Sequence, residues 1–241
     1  MNNWYEKYSW DIGGASLHRS IESLESQGCL RANLTHRLAD FLELDLLRDR
    51  PNDLRWSVHL SAQVLKQQSV SSFLEKISLL PNPVEILVVS GNPKPKRDSL
   101  ILADELSYQS NSIALAISPF DLSERIQAKC RARHLTSLYF QVCTDTKQLS
   151  KQVALVRSFN PHVRLSACWL VPTRANWQAM HLFPWSGAHF TEAWLSSYDT
   201  ALEVAQQQLR WMISENIEPL IEPRRLTATT FLTTGLFENT F

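Results

Sequence analysis

The chain has 241 residues, with 24 Lys plus Arg balanced by 24 Asp plus Glu and a pI near 7.1. That balance provides no global field to attract nucleic acid or an anionic membrane, so neither is expected as a partner. No apolar run approaches the ~18–20 residues that span a bilayer, and no basic-then-apolar leader opens the chain, which gives the expectation of a soluble, cytoplasmic protein. The cysteines Cys29, Cys130, Cys143 and Cys168 form no CxxC and read as free thiols of a reducing compartment. With only 6 glycines and neither GxGxxG nor GxxxxGK[ST], a phosphate loop built of glycines is not expected.

Lys7 to Ile12 alternates and is followed by Gly13-Gly14, which reads as a first strand. Ser16 to Gln27 carries Leu17, Ile21 and Leu24 on one face and reads as a helix stopped by Gly28. Phe-Leu-Glu-Leu-Asp within 40–47 alternates at period two, giving a second strand. Arg55 to Ala62 is the third strand and Val70 to Leu80 its helix, closed by Pro81-Asn82-Pro83. Ile86 to Val89 is an unbroken apolar run ending in Ser-Gly-Asn-Pro, as suits a central parallel strand covered on both sides.

A helix follows over 99–110, then a strand over 112–117, a basic helix over 122–134 and a strand over 137–142. The pattern continues with helix 146–159, strand 164–171 and a short helix 174–182. An aromatic, irregular patch over 183–194 reads either as an interface or as a cover for the core. Helix 199–215 and strand 217–221 close the pattern. Eight strands, with a helix after each of the first seven, predict a parallel sheet closed into a single (β/α)8 TIM barrel spanning residues 1–241 as one domain.

In such a barrel, ligands meet the C-terminal strand ends. The candidates there are Ser9, Asp11, Glu43, Asp45, His59, Ser61, Ser90, Asn92, Ser118, Gln141, Cys143, Trp169, Thr173 and Glu222. No metal site is expected, since His59 has no partner at metal-ligand spacing. His59 is either a ligand contact or a histidine hydrogen-bonded inside the barrel. Asp11 is either a general acid or the anchor of a loop.

Val-His-Leu-Ser-Ala (58–62), Leu-Val-Val-Ser-Gly-Asn-Pro-Lys-Pro (87–95), Leu-Tyr-Phe-Gln-Val-Cys-Thr-Asp (138–145) and Leu-Ser-Ala-Cys-Trp-Leu-Val-Pro-Thr (165–173) occur in order. This set resembles the third, fourth, sixth and seventh strands of the methylenetetrahydrofolate reductase family over about residues 5–225. The resemblance implies FAD at the rim, NADH or NADPH as donor and a folate-type substrate. It places His59, Ser61, Asn92 and Lys129 at the cofactor, Gln141 at the substrate and Asp11 where the family has a catalytic Glu.

Asn92 and Ser90 stand where the family has Asp and Arg, and Trp169 is expected to crowd the flavin. Two readings follow: a flavin-dependent oxidoreductase of one-carbon metabolism, or a catalytically degenerate relative that binds a folate-like ligand or a partner protein. A homo-oligomer is compatible with either. A barrel enzyme of another class, such as a lyase, is the third.

Overall fold

The structure is a computed structural model. It describes residues 9–12, 17–26, 29, 31–34, 55–62, 70–78, 84–90, 98–185 and 187–222. Eight strands are described: β1 (Ser9–Ile12), β2 (Arg31–Leu34), β3 (Arg55–Ser61), β4 (Val84–Val89), β5 (Ile113–Ile117), β6 (Leu135–Phe140), β7 (Arg164–Leu170) and β8 (Glu218–Glu222). All are parallel, each pairs with the next in chain order, and β1 also pairs with β8 through Ser9–Leu220 and Trp10–Ile221. The result is a parallel α/β, TIM-barrel-like fold. Among the described residues no helix is long and apolar enough to cross a membrane.

The described helices are α1 (Leu17–Ser26), α2 (Val70–Ile77), α3 (Ser99–Leu106), α4 (Ser123–Cys130), α5 (Thr146–Phe159), α6 (Arg174–Leu182), α7 (Glu192–Ser196) and α8 (Tyr198–Ser214). Their starts follow from local chemistry. Asp98, Asp145, Thr173, Thr191 and Ser197 each accept a backbone N–H of the first turn with a side-chain oxygen. Such caps contribute about 1 kcal/mol each.

Strand alternation divides the interior in two. Ala32, Leu34, Trp56, Val58, Leu60, Ile86, Val88, Leu138, Phe140 and Trp169 face the helices and join the large buried core. Leu87, Ala114, Tyr139 and Leu220 form a separate cluster inside the barrel. A two-faced strand buried on both sides needs no polar alternation, which is why β4 reads as a continuous apolar run.

One correction concerns the second strand. The seat beside β1 and β3 is taken by Arg31–Leu34, paired Asp11–Asn33 and Asn33–Ser57. A four-residue Arg-Ala-Asn-Leu strand carries too little pattern to stand out against the longer alternation at 40–47. The latter, with Glu43 and Asp45, lies outside the described residues. The patch over 183–194 runs into the first turn of α7 and packs Trp185, Phe190 and Trp194 with Met180 and Leu170. It covers core, although Leu182 and Phe183 at its start stay exposed.

Candidate functional site

In an eight-stranded barrel the inward side chains stack in layers of four from alternate strands. The register gives those layers here. The lowest holds Arg31, Glu85, Ser137 and Glu218, and above it come positions 9, 57, 114 and 166, all small: Ser9, Ser57, Ala114 and Ser166. The third level is Asn33, Leu87, Tyr139 and Leu220. The fourth has strand positions Asp11, His59, Ala116 and Cys168. Val89, Gln141 and Glu222 are one step further toward the C-terminal mouth.

The floor is ionic. Arg164 donates to both Glu85 oxygens at 2.8 and 2.9 Å and to Glu218 at 3.1 Å, while Arg31 also binds Glu218. Thr136, Ser137 and Tyr139 donate to Glu85 at 2.8, 2.6 and 2.8 Å. Burial alone would push the Glu85 carboxyl up, but Arg164 and these three hydroxyls outweigh it and hold the group below its ordinary value. Burial, then the nearby Glu85 charge, pushes the Tyr139 hydroxyl upward, so it stays a donor.

A cavity of about 560 Å³ opens beside this floor, lined by Arg157, His162, Arg164, Asn216 and Glu218 among others. Its arginines are committed, Arg157 to Glu215 and Arg164 to Glu85 and Glu218. This is the N-terminal end, where barrel residues serve stability rather than ligands.

The upper barrel differs. Asn33 is fully buried, and neither its amide nitrogen nor its oxygen makes a hydrogen bond within the described residues. Ser57, its register partner, is 6% exposed and its hydroxyl is likewise unpartnered there. A buried polar group left without any partner costs about 1–3 kcal/mol, so these two are where a ligand or ordered water would be met. His59 and Ser61 of the same strand are half-buried.

The opposite wall is small and apolar, with Val89, Ala114, Ala116 and Cys168 packed on the Leu87–Tyr139–Leu220 cluster. Among the described residues no group of three His, Cys, Asp or Glu is placed to hold a metal ion.

The mouth is shaped by two loops. After β6, His189 bridges Cys143: its N–H donates to Val142 O at 2.8 Å and its carbonyl accepts Thr144 N–H at 2.9 Å. Thr191 N–H donates to Thr144 Oγ1 at 2.8 Å. This seam straps the segment after α6 across the end of β6. It sets Gly187, at φ +89°, where a Cβ would stand 3.5 Å from Gln141 Oε1. After β5, Lys129 reaches up from α4, its ammonium donating to Ala116 O at 2.7 Å and Asp121 at 2.5 Å. Burial pushes its pKa down, and Asp121 opposes that shift.

The sequence candidates thus separate. His59, Ser61 and Gln141, with strand position Asp11, gather at the upper levels, as does Glu222. Lys129 lies behind β5 with its ammonium engaged by protein groups. Asn92 lies outside the described residues. Ser90 sits beyond β4 and donates to Ser99 Oγ at 3.3 Å, beside the Arg125–Asp98 pair.

Three rim expectations are corrected. Cys143 is buried away from the mouth, and burial pushes its thiol up to about 11. Trp169 faces the helices and donates to Ala205 O at 3.0 Å, so it crowds nothing inside the barrel. Thr173 is spent as the α6 cap. Sequence reasoning missed Asn33 because its strand was missed, although Asn flanked by Ala and Leu is the signal of a polar residue on a buried strand. Cys168 was passed over as structural.

No protein-family model and no curated protein matches this chain. Among solved structures, the citrate lyase beta subunit from Mycobacterium tuberculosis aligns over 98% of both chains with a TM-score of 0.53 and 12% identity. Tryptophan synthase from M. tuberculosis, in an aminoacrylate- and BRD0059-bound form, aligns over 83% of this chain and 90% of that one, at 10% identity and a TM-score of 0.49 too low to argue from.

The first likeness defines the fold class, a TIM-barrel-like α/β protein, and at that identity nothing more. It does not point to methylenetetrahydrofolate reductase. That resemblance is overturned, together with folate reduction, the flavin-oxidoreductase reading and the degenerate folate-binding alternative. Its motifs were short strands of β-branched residues ending in small polar ones, which any buried parallel strand opening onto a barrel mouth requires. The flavin and nicotinamide expectations rested on that resemblance alone.

Proposed function

We propose that the chain is a single (β/α)8-barrel domain over residues 1–241 that binds a small polar metabolite in the upper half of its barrel. The observation that carries this is Asn33, a fully buried carboxamide with donor and acceptor both unused in the described structure, beside the equally unused Ser57 hydroxyl. Folds carry such costs where a ligand repays them. The small wall of Ala114, Ala116 and Val89 leaves room, and His59, Ser61, Gln141 and Glu222 supply the polar groups of the mouth, with strand position Asp11 at the level of His59. Lys129 acts in this reading as a positioning residue, tying Ala116 to the following loop. The reaction class suggested by likeness to the citrate lyase beta subunit is that of a lyase, and this rests on fold analogy alone.

The test is a thermal-shift panel of citrate and other small hydroxy- and oxo-acids, aldehydes and amides, run on the native chain and on Asn33→Leu. A compound that raises the melting temperature of the first and not the second supports the site. If no compound does so, and ordered water on Asn33 accounts for its polar atoms in an experimental structure, the ligand reading falls.

A further inference from the structure

Cys29, Cys130 and Cys143 are buried at 4%, 6% and 0% exposure, whereas Cys168 is half-buried and faces into the barrel. The register sets Cys168 on β7 at the same level as His59 on β3, with Ala116 on β5 leaving space between them. An eight-stranded interior is just wide enough for side chains of opposing strands to meet. One level below, Asn33 presents its unpartnered carboxamide.

A thiol and an imidazole at one level of the barrel, with an unused N–H donor one level below, are the parts of a nucleophile site: attacker, proton acceptor and a donor for the oxygen that gathers charge. The other three cysteines are buried away from the barrel interior.

We infer that Cys168 is a nucleophile for a small carbonyl compound bound in the upper barrel, with His59 as its base and Asn33 as donor to the carbonyl oxygen. This rests on the upper barrel being a ligand site. His59 takes the Sγ proton, and Sγ bonds to the carbonyl carbon as the C=O π pair moves onto oxygen. That oxygen, held by the Asn33 N–H, then takes the proton back from His59. The product is a hemithioacetal; nothing is oxidised and nothing leaves.

The experiment is alkylation of the native chain with iodoacetamide across pH 5–9, mapped by peptide mass. Label is expected on Cys168 ahead of the other three, with its half-maximal rate at least one pH unit below the ~8.5 of a free thiol. His59→Gln should return that midpoint to ~8.5 and slow labelling at pH 6.5 by about threefold or more. Glycolaldehyde should protect Cys168 in the unsubstituted chain, which keeps the test decisive if the variant does not fold.

A Cys168 midpoint at or above ~8.5, or labelling indifferent to glycolaldehyde, overturns the inference. Should a metabolite still raise the melting temperature through Asn33 while Cys168 is inert, the ligand site stands and the nucleophile does not.

Discussion

Tyr139 donates its hydroxyl to Glu85 Oε2 at 2.8 Å, reaching down the barrel through the layer of Ser and Ala that separates their two levels. Ser57, Ala114 and Ser166 at that level are small and leave space for this ring. Through it, the apolar middle of the barrel is fastened to the ionic floor of Arg31, Arg164, Glu85 and Glu218.

Tyr139→Phe keeps the ring and removes one hydrogen bond to a buried carboxylate, so it should lower stability by about 1–3 kcal/mol at pH 7. Because the folded Glu85 carboxyl lies below its ordinary value of 4.5, its contribution is fully present above that value and is lost as pH falls through the folded value. Removing a hydroxyl that favours the ionised form raises the folded value, so the variant's acid unfolding should begin at higher pH. Urea titrations at pH 7 and 4 check both: the stability gap between the two chains should be larger at pH 7.

Gly187 stands at φ +89°, a backbone region that L side chains rarely enter, while a Cβ there would make only ordinary contact with Gln141. Gly187→Ala should therefore cost about 1–2 kcal/mol through backbone conformation rather than collision. The loss should show in chemical unfolding, and amide exchange should quicken at Thr144 and His189, whose bonds hold the strap.

Lys129→Met keeps the buried stem and removes the ammonium held by Ala116 O and Asp121. Leaving those acceptors short should cost about 1–3 kcal/mol. If Lys129 positions the loop rather than touching ligand, amide exchange at Ser118 and Asp121 should rise and ligand affinity should fall modestly, not vanish.

The TIM-barrel-like fold was legible because β4 and β5 carry the apolar runs that double burial demands, and because Pro, Asn and Ser-rich turns separate the later strands and helices. Helices 146–159 and 174–182 match α5 and α6 to the residue. The second strand was not legible: Arg31–Leu34 is four residues long, and alternation elsewhere outweighed it. Of the mouth, inward parity was readable for His59, Ser61, Gln141 and Glu222, since counting by two from a buried run gives the face. It failed for Trp169, where a one-residue difference in register reverses the face, and for Cys143, which lies past the end of β6 in the buried core. The ionic floor could not be read at all, because Glu85 and Arg164 are 79 residues apart and meet only when the sheet curls.

The measurement that bears most directly on the account is the stability of Asn33→Leu, with and without a stabilising metabolite from the panel. Leucine has nearly the shape of asparagine and no polar atoms, so the ligand-free variant should equal or exceed the native chain, by up to about 1–2 kcal/mol, while losing the metabolite's stabilisation. A variant that is less stable without ligand and binds as well as the native chain would contradict the claim that Asn33 is kept for a ligand.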